Sequence, residues 1–272
     1  MFEPLDQMLE IARIAESCGY EGLALADHVA VPERFASVHP SGQNPFTAES
    51  SFPDPFVSIA AMAAVTERLR FMSYVYVLPM REPLGVAKQV GTVAAMFPGR
   101  IVFGVGAGWL TEEVELLGVD PRSRGRRMDD MLGVITDLWA DGWADAGDGT
   151  RVGMFPVPVP APPIRVGGKS DAALRRAVRH DGWLGMNYDL DEVDRLLDRL
   201  RALRDEAGDD RTDFDVFVIP NAEPTPELLE RPASQGVTST MVMPWYPGDP
   251  AAATVEQKRA AMEATAARLG LG

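Results

Sequence analysis

Apolar positions along this chain repeat in two alternating rhythms. Residues 3 to 19 place Leu5, Met8, Leu9, Ala12 and Ala15 three and four apart, which predicts an opening amphipathic helix stopped by Gly19. A short apolar run bounded by turn residues follows at 21–28, and the alternation continues to the end. Further strands are predicted over 69–78, 101–105, 164–167, 182–186, 214–219 and 239–243. Helices are predicted over 55–68, 83–97, 111–140, 170–179, 190–207, near 226–230 and over 255–269. Residues 142–163, rich in Gly and Pro, read as a surface excursion inside one domain spanning 1–272.

The pattern gives seven strands and eight helices and opens on a helix, where a (β/α)8 TIM barrel would open on a strand. A doubly wound open sheet alternates in the same way, so the strand ends have to decide between the two. In a barrel, polar and glycine-rich strand ends converge on one mouth. Four strands here end in such groups: Asp27-His28, Tyr74-Val75-Tyr76, Gly104 to Trp109, and Gly167-Gly168-Lys169-Ser170. This favours a barrel that lacks its first strand. The glycines Gly104, Gly106 and Gly108 admit close backbone approach, which suggests room for a bound ring or phosphate. A dinucleotide fingerprint would need its third glycine where Trp109 stands, so a Rossmann dehydrogenase is disfavoured.

Composition narrows the partners. A formal charge of −14 argues against nucleic acid and anionic membranes, and any anionic ligand must meet a local basic patch. The single cysteine, Cys18, excludes an internal disulfide and a multi-cysteine zinc site. No two of the three histidines stand at ligand spacing, so no catalytic metal is expected. No apolar run approaches the roughly 20 residues of a membrane span, and no signal layout opens the chain. The expectation is a cytoplasmic protein acting on a small molecule.

The ordered strand ends resemble the bacterial luciferase-like family, in its coenzyme F420-dependent oxidoreductase branch. The carrying stretches are GYEGLALADHV, the segment from FPDPFVSIAAM through GRIVFGVGAGWLTEEVELLGV, RSRGRRMDDMLGVITDLW, and PIRVGGKSDAALRRAVRHDGWL. The resemblance implies a TIM barrel with a flavin or deazaflavin ring at its mouth, F420 being favoured and FMN the alternative. It places Asp27 and His28 beside the ring, with His28 as a candidate proton partner; capping and structural roles are the plainer reading of the pair. It places a non-prolyl cis peptide at Tyr74-Val75, backing the ring beside Tyr76. Gly106, Ala107, Gly108 and Trp109 would line the coenzyme. Luciferases proper carry an FMN-phosphate arginine where this chain has Ala107, and sugar-phosphate dehydrogenases carry a glutamate where it has Trp109. Both departures favour F420 and an apolar substrate.

Gly167, Gly168, Lys169 and Ser170 precede a helix whose free N–H groups can receive a phosphate; an ordinary strand-to-helix turn is the alternative. Arg122, Arg124, Arg126 and Arg127 form a basic run that reads equally as a solvated helix start. The loops 29–53 and 142–163 are expected to shape the pocket. Rival functions are an FMNH2-dependent monooxygenase and a non-catalytic flavin-fold binder, and the resemblance implies a possible homodimer.

Overall fold

The computed structural model describes residues 4–40, 42, 44, 46–221, 225–246 and 248–271. After a 3-10 turn at Leu5–Gln7, α1 (Met8–Ser17) leads to β1 (Gly22–Leu25). Helix α2 (Pro55–Ala63) starts where Asp54 accepts hydrogen bonds from the N–H groups of Phe56 and Val57 (3.0 and 2.9 Å), with Pro55 in the first turn. The expected strand 69–78 is divided into β2 (Arg70–Ser73) and β3 (Tyr76–Val77), separated by the Tyr74-Val75 peptide, which is cis. Helix α3 (Pro83–Met96) and strand β4 (Ile101–Gly106) follow.

The helix expected over 111–140 is two helices, α4 (Thr111–Leu116) and α5 (Arg124–Asp141). Gly118 at φ 80° and Pro121 interrupt it, and Asp120 accepts from Arg122 N–H (2.9 Å) to form the turn. The 142–163 excursion contains a hairpin of β5 (Trp143–Asp145) and β6 (Arg151–Gly153). The remaining elements are β7 (Ile164–Gly167), α6 (Asp171–Val178), β8 (Gly182–Tyr188), α7 (Leu190–Ala207), β9 (Asp215–Pro220), α8 (Pro226–Ser234) and α9 (Val255–Leu269).

All pairings in the main sheet are parallel, in the order β1-β2-β4-β7-β8-β9, with β3 also on β4. Strands therefore follow one another in sequence order with no reversal point, the arrangement of a barrel wall and not of a doubly wound sheet. The wall stays open. Segment 239–243, expected as a strand, makes one bridge, Phe217 to Ser239, and forms no ladder. Among the described residues β1 pairs with β2 alone, so neither edge has a partner across the gap where a first strand would lie. A groove of about 300 Å³ fills the gap, lined by Leu23, Met72, Val102, Met241 and Trp245 among others.

Alternation along β4 sorts two cores. Phe103 and Val105 face the helices, where Phe103 packs on Phe56, Tyr76 and Trp139. Val102 faces inward to Met72, Leu184 and Phe217. The glycines continue that inward face. An added Cβ at Gly104 would lie 2.0 Å from the Ser73 carbonyl oxygen, at Gly106 2.5 Å from Val75 Cγ2, and at Gly108 2.7 Å from Val77 Cγ1. On β7, Gly167 would meet Val75 Cγ1 at 2.8 Å. The room expected for a ring is thus filled by the neighbouring strand itself, and Val75 is wedged between glycines of β4 and β7.

Two glycine substitutions should act in opposite directions. Gly104→Ala must displace a buried backbone carbonyl and is expected to cost about 1–3 kcal/mol or more. Gly133→Ala, inside α5 with nothing within 4 Å of the new methyl, should add about 0.5–1 kcal/mol. Thermal denaturation of the two variants beside the parent checks both signs.

Candidate active site

At the carboxyl ends of the strands lies a cavity of about 900 Å³. It gathers Asp27 and His28 from the end of β1, Tyr74 and Val75 from the β2–β3 junction, and Gly106, Ala107, Gly108 and Trp109 from the end of β4. Gly167, Gly168, Lys169 and Ser170 complete the wall after β7. Tyr76 is not on it. Its ring faces the helix side, packed on Phe56 (5.3 Å) and beneath the Arg81 guanidinium (4.0 Å), because it follows the inward Val75 with opposite polarity.

Several of these groups are already engaged by the protein. Asp27 takes a bidentate pair from Arg81 (2.7 Å to each oxygen) and the Val77 N–H (2.8 Å), fastening the end of β1 to β3. Burial pushes its carboxyl up against the opposing pull of Arg81. The Tyr74 hydroxyl donates to the Gly185 carbonyl across the barrel, and burial raises its pKa well above that of a free phenol. Lys169 pairs with Glu192 (2.8 Å) and lies 5.4 Å from the Tyr188 ring centre. Ser170 caps α6 by accepting from Ala173 N–H (3.2 Å).

The loop 29–53 does reach the cavity, with residues 41, 43 and 45 lying outside the described residues. It brings Phe46 and Phe52 to 4.7 Å from the His28 ring, and His39 to 5.1 Å from Trp109. The other expected loop, 142–163, contributes no lining residue. It joins the end of α5 to the start of β7, and a helix antiparallel to the strands delivers such a connection to the opposite face of the barrel.

Two carboxylates absent from the sequence reading hold the loop 29–53. Glu113 Oε2 lies 2.6 Å from His28 Nδ1, while its Oε1 accepts the N–H groups of Val29 (2.6 Å) and Ala30 (3.1 Å). Glu112 Oε1 accepts from Ala36 (2.7 Å) and Ser37 (3.0 Å). Burial pushes Glu113 up, yet the bond and charge of His28 with the two amides bring it below the ordinary carboxylate value. The Ser37 hydrogen bond and loop amides bring Glu112 down to about 2. In sequence these glutamates look like ordinary acidic residues in a first helical turn.

Arg122 and Arg124 also line the cavity, and neither has an acidic partner among the described residues. Arg124 donates to the Pro121 carbonyl. Arg176, beside them, is buried and bound to Asp129 (2.7 and 2.8 Å) and to the Gly125 carbonyl (3.0 Å). No group of three or more metal-ligating side chains occurs among the described residues, and none of their helices is long and apolar enough to cross a membrane.

The sequence pattern of luciferase-like monooxygenases matches residues 3–270. The chain belongs to that family. An uncharacterized protein of Mycobacterium tuberculosis is 38% identical over 241 residues, covering 86% of this chain and 83% of the relative. An F420-dependent glucose-6-phosphate dehydrogenase of Microbacterium testaceum is 29% identical over 224 residues, 78% of this chain and 62% of the relative. The crystal structure of monooxygenase RslO1 from Streptomyces bottropensis superposes with a TM-score of 0.72 at 20% identity, covering 97% and 92% of the two chains. The family supports an enzyme of the monooxygenase or oxidoreductase kind and the barrel reading of the open sheet.

Anchoring of the cavity loop should depend on pH with a definite sign. The folded-state pKa values of Glu112 and Glu113 lie below the ordinary 4.5, so their bonds contribute fully above that value. The contribution is lost as pH falls through the folded values, toward about 2 for Glu112. Hydrogen-exchange protection of Ala36 and Ser37 should therefore persist below pH 4.5 and disappear toward pH 2.

Proposed function

We propose that this chain is an F420-dependent oxidoreductase acting on an apolar small organic substrate. One observation carries the reading: a single cavity joins an aromatic group around His28 to two arginines that have no acidic partner among the described residues. In a chain of net charge −14, such arginines favour a ligand with an anionic part. The aromatic group favours a flat, apolar one.

The residues present fit the coenzyme. Val75, held forward by the glycines of β4 and β7, offers an apolar surface for a ring. Arg122, Arg124 and the N–H groups opening α6 would receive phosphate and acidic tail. Ala107 carries no charge for an FMN phosphate, which supports F420 over FMN. Bound F420 would supply two-electron hydride chemistry. The chain's own part is positioning, exclusion of water by Phe46, Phe52 and Trp109, and movement of a proton at His28. Trp109 has no acid or base to offer and shapes the substrate side as a wall.

Fluorescence titration with F420 tests the reading. Saturable binding at or below about tens of micromolar is expected, and tighter than FMN measured in parallel. Absence of saturation in that range would sink it, and preference for FMN would favour a flavin-dependent monooxygenase. Joint substitution Arg122→Ser and Arg124→Ser should weaken F420 binding by about tenfold or more and flatten its dependence on salt.

A further inference from the structure

Glu113 stands in an unusual place for a carboxylate. It is 1% exposed, on the first turn of α4, with one oxygen on an imidazole and the other on two backbone amides. We propose that Glu113 is the positioning residue of His28: its Oε2 takes the Nδ1 proton, so the neutral ring presents an unprotonated Nε2 to the cavity. The arrangement leaves little freedom. An ionised carboxylate only accepts hydrogen bonds, so at 2.6 Å Nδ1 has to be the donor. Rotation of the carboxylate would release the Val29 and Ala30 amides, which fixes it from the loop side.

No other hydrogen bond to Nδ1 is formed among the described residues. Asp27 is bound to Arg81 and Val77, and His39 meets the Trp109 ring, while Phe46 and Phe52 carry no polar atom. Among the described residues Nε2 has no partner, and His28 lines the cavity. Neutral His28 is therefore set as a proton acceptor, and protonated His28 as a donor whose positive charge Glu113 balances. The same carboxylate ties the tautomer to the root of the loop that carries Phe46 and Phe52. The use of Nε2 in turnover rests on the oxidoreductase reading above; the tautomer does not.

The test needs neither coenzyme nor substrate. The chain has three histidines, so ring-nitrogen NMR of protein labelled at histidine gives three spectra, assigned with His39→Gln and His180→Gln. The expected result is a neutral His28 protonated at Nδ1. In Glu113→Gln the amide oxygen stays with Val29 and Ala30, and the amide NH2 then faces Nδ1. The neutral ring should switch to the Nε2-protonated form. Wild-type His28 protonated at Nε2 would overturn the proposal, as would an unchanged tautomer in Glu113→Gln. Should that variant fail to fold, the wild-type spectrum decides alone. F420 binding that fails while the Nδ1 tautomer is found would overturn the coenzyme reading and leave this one standing.

Discussion

The close approach of β4 to the strand before it governs the rest of this molecule. Gly104, Gly106 and Gly108 face Ser73, Val75 and Val77, and a methyl group at any of the three would overlap them. This lets the β2–β3 junction push Val75 into the barrel, where Gly167 receives it from β7. The forward position of Val75 defines the inner wall of the large cavity. The same neighbourhood fixes β3, whose Val77 amide reaches Asp27 and so binds the end of β1. A collision avoided at three small residues thus sets the relative positions of three strand ends.

Charges at the mouth divide by use. Asp27, Arg81, Glu112, Glu113 and Arg176 are all engaged with other protein groups, and all five contact backbone directly. They hold strand ends and the loop in place, and their buried, paired state is the one that is costly to break. Among the described residues His28 Nε2 has no partner, and Arg122 and Arg124 have no acidic one. Both sets line or adjoin the same cavity.

Much of the scaffold was legible in the sequence because its signals are local and periodic. Helix α7 spans the stripe Val193, Leu197 and Leu200 with its caps at Asp189 and Gly208, and its limits match expectation. The open position of the first strand was legible from the order of elements. Other features were not. Segment 239–243 has strand-like composition, yet only Ser239 bridges to Phe217 and no ladder follows, since composition reports suitability for a strand and not the pairing itself. The glycines of β4 were read as room for a ligand, since a sequence shows that a side chain is absent and not what occupies the space.

The site was legible where residues lie at strand ends and hidden where contact depends on long loops. Asp27, Val75 and Trp109 follow from position along strands. Tyr76, one residue beyond Val75, was assigned to the wrong side because the interrupted strand changes which residues point inward. Glu113 bonds a residue 85 positions away, and no periodicity reports such a pairing. The exclusion of 142–163 from the mouth could have been reasoned in advance, because a helix-to-strand connection falls on the face opposite a strand-to-helix one.

A crystal structure of the protein with F420 tests the central claim most directly. The account predicts the deazaflavin ring in van der Waals contact with Val75 and beside His28, with the phosphate or acidic tail near Arg122 and Arg124. A ring bound in the groove between β1 and Ser239, or at the mouth without contact to Val75, would contradict it.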